Sequence, residues 1–148
     1  IIIKKYFNIG IGVETDIGLM VPVIKNADEK SMIELAAEIA ELAQKARTRT
    51  ITLPEMQGST FTITNYGSVG GTYATPILNS GESGILGTGR IFERVVPSKI
   101  GMGFAIAKIL PVSFTFDHRI ADGAQAARFL ESLKAFLEDP DHLLLELH

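Results

Sequence analysis

The chain has 148 residues, 46% of them hydrophobic and 21% charged, and its seventeen acidic against fourteen basic side chains leave a formal charge of -3. A chain of this size is one domain that buries roughly 68–70% of the surface it exposes unfolded, so a core is available. No Lys/Arg cluster is denser than Lys4-Lys5 or the Arg47/Arg49 pair, which argues against a nucleic-acid partner, and the absence of cysteine excludes disulfides, thiolate metal ligands and a cysteine nucleophile.

In chain order, Ile1-Ile2-Ile3 is cut short by Lys4 and Lys5, so it predicts neither a signal peptide nor a membrane span. Phe7 to Val13 and Leu19 to Ile24 are short apolar segments around Asp16-Ile17-Gly18, a turn signal that predicts a hairpin. Pro22 puts its strand at an edge or a bulge. Ser31-Met32-Ile33-Glu34 has capping-box spacing, and Leu35, Ile39, Leu42 and Ala46 follow at helical intervals on one face. That spacing predicts a helix over Met32 to Arg47.

Thr60-Phe61-Thr62-Ile63-Thr64 alternates strictly, which predicts a strand with Phe61 and Ile63 on one side and three threonines on the other. Gly67, Gly70 and Gly71 break it. Gly84-Ile85-Leu86-Gly87, leading to Arg90-Ile91, and the segment Ile109 to Phe116 read as two further strands. From Gly123 the chain turns helical, with an apolar stripe of Ala127, Leu130, Leu133 and Leu137 that stops before Asp139-Pro140. Loose alternation of strands and helices predicts a mixed α/β sandwich. The tail Leu143-Leu144-Leu145-Glu146-Leu147 is apolar enough to predict contact with another chain or with its own domain.

Along Leu110 to Phe116, alternation puts Val112, Phe114 and Phe116 on one face and leaves His118 where the strand gives way to a turn and a helix. Catalytic side chains often sit at such ends. His118 is also the only histidine away from the C-terminal tail. A lone histidine at a strand end is, however, more often a structural hydrogen-bonding residue than a base. Asp122 has a local use of its own, because Asp122-Gly123-Ala124-Gln125 matches an N-cap with Gln at N3.

The run Asp117-His118-Arg119-Ile120-Ala121-Asp122-Gly123 separates these readings. It resembles the Asp-His-Arg-x-x-Asp-Gly signature of the acyltransferase component of 2-oxo acid dehydrogenase complexes. Asn8-Ile9-Gly10-Ile11-Gly12, the segment Gly18 to Ile24, Phe61-Thr62-Ile63-Thr64-Asn65, the segment Gly70 to Ile77 and Ile85-Leu86-Gly87 resemble that family too, in the same order. The likeness covers nearly the whole chain but only the C-terminal part of the family's catalytic domain. Residues 1–148 would then be a single, incomplete catalytic domain, without the family's first helix and early strands and without lipoyl or subunit-binding domains. The implied fold is the α/β two-layer sandwich of chloramphenicol acetyltransferase-like proteins, a mixed sheet with helices on one face.

The resemblance implies acyl transfer between a dihydrolipoyl group and coenzyme A by direct thiol attack on a thioester, with His118 as general base. A thiol near pKa 8.5 and an imidazole near 6.5 differ by about two units, so full proton transfer costs only about 2.7 kcal/mol before any help from the site. The family places a Ser or Thr hydroxyl where Thr64 stands, to donate to the oxyanion, and losing one such donor typically costs about 2.7–4 kcal/mol of barrier. A plain strand threonine, as at Thr60 and Thr62, is the alternative. Asp122 matches an acidic residue that holds the histidine loop, and Arg119 and Gly123 would support the same turn.

Positions matching Glu14, Gln44, Thr64, Asn65, Gly89 and Ile91 lie along the coenzyme A channel of relatives. Glu14 replaces a more usual aspartate, and Gln44 also reads as an ordinary exposed helix residue. Gly89 and Ile91 would act through backbone and surface, so replacing either by Ala is expected to change little. No metal is implied. The lipoyl group would come from a separate domain. The implied assembly is a homotrimer, with His118 and Thr64 of each channel supplied by different subunits, joined into a larger cage through apolar C-terminal ends. Lipoyl domains and the other dehydrogenase-complex subunits are the implied partners, with no nucleic acid and no membrane. The implied location is the cytoplasm of a prokaryote or the mitochondrial matrix of a eukaryote.

Asn79-Ser80-Gly81-Glu82 stands where relatives commonly have Asn-Pro-Pro-Glu, which removes two φ-fixing residues and predicts a looser turn. One rival reading is a non-catalytic oligomeric core or scaffold fragment. Another is a stand-alone chloramphenicol acetyltransferase-like enzyme, which shares a His-x-x-x-Asp-Gly turn; Arg119 and the Gly70-Gly71-Thr72 run favour the dehydrogenase-complex family. The stretch Tyr66 to Tyr73 resembles acetyl and branched-chain relatives more than succinyl ones.

Overall fold

A computed structural model describes residues 1–98, 101–139 and 141. The apolar tail singled out above lies outside the described residues. The chain divides into two compact units, Ile1–Thr115 and Phe116–His148, and each is treated by itself.

The first unit begins with the expected hairpin, in two pieces. β1 (Ile9–Ile11) pairs antiparallel with β4 (Val23–Ile24), and β2 (Val13–Thr15) with β3 (Gly18–Met20). The interruption falls at Gly12, whose N–H donates instead to the Ile63 carbonyl at 2.8 Å. Pro22 precedes β4, the edge strand of a five-stranded sheet, where its missing N–H leaves no ladder bond unmade.

Helix α1 spans Met32–Arg47. Its capping box is formed as the spacing predicts: Glu34 N donates to Ser31 Oγ at 3.3 Å and Ser31 N to Glu34 Oε2 at 2.8 Å. The helix packs on β2 and β4, burying Leu42 and Ala46 on the side of Val13, Val23 and Ile24. These residues are all buried. Ile39 stays 37% exposed at the rim.

β5 (Phe61–Asn65) lies between β1 and β6 (Gly84–Thr88), parallel to both, and the sheet order is β4-β1-β5-β6-β9. β6 is buried over its first four residues, as a strand covered on both faces should be. The connection 66–83 contains neither helix nor strand, and a loop longer than about 12–15 residues without structure of its own is usually functional. Its turn at Asn79 to Glu82 is hydrogen-bonded. Glu82 N donates to the Asn79 carbonyl at 3.2 Å, and Gly81 takes φ +83°. A positive φ at the third turn position is open to glycine and closed to proline, so this turn differs in type from Asn-Pro-Pro-Glu.

A second hairpin was not legible in the sequence. β7 (Phe92–Pro97) and β8 (Phe104–Ile109) pair antiparallel in a separate two-stranded sheet, with Val95 opposite Ile106 and Pro97 opposite Phe104. Val95, Ile106 and Phe104 therefore share one face, and they are 63%, 70% and 80% exposed. With apolar residues on an uncovered face, the usual alternation of inward apolar and outward polar residues is missing. β9 (Val112–Phe116) then completes the five-stranded sheet.

In the second unit, helix α2 spans Gly123–Glu138. Its less exposed side runs through Ala126, Leu130, Leu133 and Phe136, whereas Ala127 and Leu137 of the expected stripe are exposed. The stripe is thus rotated by one residue at each end. A spacing of i, i+4, i+7 follows the 3.6-residue turn as well as the expected set does.

Candidate functional site

The turn that carries His118 is fixed on both sides. Behind Phe116 the Asp117 carbonyl accepts from Ile120 N at 2.9 Å and Ala121 N at 3.1 Å, closing one tight turn. The Asp117 carboxylate grips the next residue but one: Oδ1 accepts from Arg119 N and Nε, both at 2.9 Å, and Oδ2 from an Arg119 terminal nitrogen at 2.6 Å. The Arg119 side chain, followed by its backbone N–H, holds the Asp117 carboxyl down to about 2. The same contact raises the Arg119 guanidinium above its ordinary value. Ahead of the turn, Asp122 caps α2: Oδ1 accepts from Gln125 N at 2.7 Å, and Asp122 N donates to Gln125 Oε1 at 2.8 Å. Its carboxylate serves the loop's geometry. At Gly123 a Cβ would meet open space, so packing among the described residues does not require glycine there.

His118 itself is exposed. Its ring lies 5.5 Å from that of Phe116, tilted by 37°, and its nitrogens bond none of the described residues. A positioned imidazole with uncommitted nitrogens can exchange a proton with an arriving ligand.

In the first unit, hydrogen bonding distinguishes the three threonines that the sequence left alike. The Thr60 hydroxyl donates to the Asn8 carbonyl at 2.9 Å. Thr62 is 1% exposed, and its hydroxyl donates to Glu82 Oε1 at 2.9 Å. The Thr64 hydroxyl is half-buried and is bonded to none of the described residues, which leaves it free to donate elsewhere. It lies over Gly12, where a Cβ would come within 2.8 Å of Oγ1; Thr62 lies over Gly10 in the same way, at 2.6 Å. Gly10-Ile11-Gly12 in β1 thus clears the space that two hydroxyls of β5 occupy.

Asn65 ends β5, exposed, and its Oδ1 accepts from Gly67 N at 2.8 Å. It pairs in register with Thr88, the last residue of β6, which places Gly89 directly after that strand. Gly89 is buried, and a Cβ there would collide with the Thr72 carbonyl oxygen. The expectation that Gly89→Ala changes little is therefore corrected: this glycine lets the 66–72 loop pass against β6. Glu14 on β2 and Gln44 on α1 are exposed, and Ile91 is 59% exposed. A groove of about 520 Å³ along α1, lined by Val23, Lys25, Leu42, Lys45, Pro54 and Glu55 among others, contains none of these residues. Among the described residues no group of three or more His, Cys, Asp or Glu could hold a metal ion.

Sequence reasoning named Asp117, Phe116, Gly12 and Glu82 but gave none of them a role in the site. The Asp117 to Arg119 spacing was readable within the motif. The fit of Gly10 and Gly12 to Thr62 and Thr64 needs the strand register.

The described parts are an exposed histidine on a capped strand-to-helix turn in the second unit and, in the first, a strand hydroxyl that lies over a Gly-x-Gly. The chain belongs to the 2-oxoacid dehydrogenases acyltransferase (catalytic domain) family, whose model matches residues 1–145. It is 47% identical over 147 residues to the dihydrolipoyllysine-residue acetyltransferase component of the pyruvate dehydrogenase complex of Bacillus subtilis. It is 46% identical over 146 residues to that organism's succinyltransferase component of the 2-oxoglutarate dehydrogenase complex. Each match covers 99% of this chain, and they cover 33% and 35% of those relatives, so the chain spans about a third of their length.

Among solved structures, the dihydrolipoamide acetyltransferase of Azotobacter vinelandii superposes with a TM-score of 0.90 at 47% identity, over 97% of this chain and 58% of that one. That study addressed the roles of a serine, a histidine and an asparagine in the catalytic mechanism. The cubic core of a pyruvate dehydrogenase multienzyme complex superposes with a TM-score of 0.88 at 46% identity, over 95% of this chain and 57% of that one.

Proposed function

We propose that this chain carries an acyl-transfer site that moves an acyl group between a dihydrolipoyl thiol and coenzyme A. The observation behind it is His118, an exposed imidazole with uncommitted nitrogens, on a turn locked by Asp117–Arg119 and by the Asp122 cap. In the Azotobacter enzyme a histidine and an asparagine four residues later were probed for catalysis, and His118 and Asp122 have the same spacing here.

His118 takes the proton from the attacking thiol as its sulfur bonds the thioester carbonyl carbon. Thr64 donates its free hydroxyl to the oxygen that becomes negative. Collapse of the tetrahedral centre breaks the bond to the other sulfur, which leaves as a thiol with the proton from the imidazolium. Aiming a donor at the developing charge lowers the barrier more than it tightens binding. Asp122 and Arg119 hold the turn without moving a proton. Asn65, Gly89, Ile91, Glu14 and Gln44 border the coenzyme A path, where the exposed positions contact the ligand by surface and Gly89 by backbone.

The working unit in this proposal is a homotrimer built into a larger core, with His118 and Thr64 of one channel coming from neighbouring subunits. The exposed Val95, Ile106 and Phe104 face of the β7–β8 hairpin is apolar surface of the kind that a subunit contact covers. A lipoyl domain would deliver the acyl group. Relatives of acetyl and succinyl type are almost equally similar, so identity favours neither acyl group; the Tyr66 to Tyr73 stretch supports acetyl or branched-chain use.

The test is acylation of dihydrolipoamide by purified protein from acetyl-, isobutyryl- and succinyl-coenzyme A. His118→Ala should abolish turnover and leave assembly intact. A wild-type protein that assembles but never turns over with any of the three would establish the scaffold reading instead.

A further inference from the structure

Glu82 is the only ionisable residue that is buried among the described residues, at 7% exposure, and the proposed chemistry gives it no task. Its hydrogen bonding is one-sided. Oε1 accepts from Ser59 Oγ, from Thr62 Oγ1 at 2.9 Å and from Asn79 Nδ2 at 3.3 Å. Oε2 is fully buried and meets no donor among the described residues. Three donors that converge on one carboxylate oxygen fix its position and, in turn, their own.

That geometry converges on Thr62. Its hydroxyl donates to Glu82 Oε1 and accepts from Asn79 Nδ2 at 2.9 Å, so both its proton and a lone pair are committed. The loop bearing Glu82 is itself held, since Lys4 Nζ donates to the Ser59 carbonyl at 3.3 Å and the Gly81 carbonyl at 3.2 Å. Thr64 follows Thr62 by two residues on the same face of β5, over Gly12 as Thr62 is over Gly10. No hydrogen bond among the described residues holds the Thr64 hydroxyl. Its aim is set by the backbone of β5, and the nearest side-chain anchor on that face is Thr62.

We propose that Glu82 is a positioning residue for acyl transfer: its single bonded oxygen pins Thr62, and through the strand fixes where the Thr64 hydroxyl stands. This rests on the reading of Thr64 as oxyanion donor. Glu82→Gln keeps the shape but replaces the carboxyl group that three hydrogen bonds converge on by an amide. A small displacement of a group that acts in the transition state reduces rate far more than binding.

The experiment is a double-mutant cycle on the intact protein with acetyl-coenzyme A and dihydrolipoamide, with assembly size and thermal melting as folding controls. Glu82→Gln should lower kcat roughly ten- to a hundredfold and leave KM for acetyl-coenzyme A within about twofold. In the Thr64→Ala background it should cause no further loss. Thr62→Val, which deletes the same anchor without a buried amide, should behave alike and serves where Glu82→Gln does not fold. A wild-type kcat in Thr64→Ala overturns the reading of Thr64 and this proposal with it. A slow Thr64→Ala, with either a wild-type kcat in Glu82→Gln or an equal fall in both backgrounds, overturns the positioning role alone.

Discussion

Asp117 and Arg119 hold one another across the residue between them, with carboxylate and guanidinium joined at 2.9 Å and 2.6 Å and the Arg119 N–H added at 2.9 Å. His118 is therefore the middle of a short ring closed by side chains. The Arg119 side chain is 89% exposed, so the pair contributes little to global stability and acts chiefly on local geometry. Arg119→Ala should lower kcat by roughly tenfold with a nearly unchanged melting temperature. Arg119→Lys should not restore it, because a point charge cannot take both carboxylate oxygens. Steady-state kinetics and a thermal melt of both variants check this.

Acid should act on two such clasps. The Asp117 carboxyl is held down to about 2 by Arg119, and Glu55 to about 2 by Lys45 at 2.9 Å and then by Thr52. Both folded values lie below the unfolded ones near 3.9 and 4.3, so the small contribution of each exposed pair, local to its turn at Asp117, is complete above those values and is lost as pH falls toward 2. Lys45→Met should narrow the acid-stable range by removing Glu55's partner. Circular dichroism from pH 5 to pH 2 reads the shift; an acid midpoint that does not move would sink the assignment.

The cap on α2 predicts a different response. Asp122→Ala should destabilise the protein by about 1 kcal/mol, whereas Asp122→Asn, which still accepts from Gln125 N, should stay close to wild type in stability and in rate. Urea denaturation and turnover of the two variants decide it. An inactive but stable Asp122→Asn would show that the charge, and not the cap, is what matters.

Gly89 and Ile91 should separate sharply although only one residue lies between them. Gly89→Ala forces its methyl into the Thr72 carbonyl and should cost about 1–3 kcal/mol. Ile91→Ala, at an exposed position, should stay within roughly 0.5 kcal/mol. Chemical denaturation of both checks the contrast.

Much of the local structure was legible. The bounds of α1, the capping boxes of α1 and α2 and the first hairpin rest on residues three or four apart, or on a turn dipeptide, and such interactions form without reference to the rest of the chain. The β7–β8 hairpin escaped because apolar residues stand on both of its faces, Val95, Phe104 and Ile106 on one and Phe92, Val96 and Ile109 on the other, so the alternation that marks a half-buried strand is absent. The stripe of α2 was misplaced because several stripes fit one helix equally well.

At the candidate site the sequence by itself determined the parts: the strand-to-helix turn with His118, the Asp122 cap, and a ladder of threonines in β5. Local spacing suffices for these, because each depends on neighbours within one turn or one strand. Only the tertiary structure decided which threonine is free. Thr60 is bonded to Asn8 and Thr62 to Glu82, whereas Thr64 rests over Gly12 with its hydroxyl uncommitted. Those partners come from distant segments brought into register by strand pairing, and hydrogen-bond commitment is a property of that register, which no local pattern encodes.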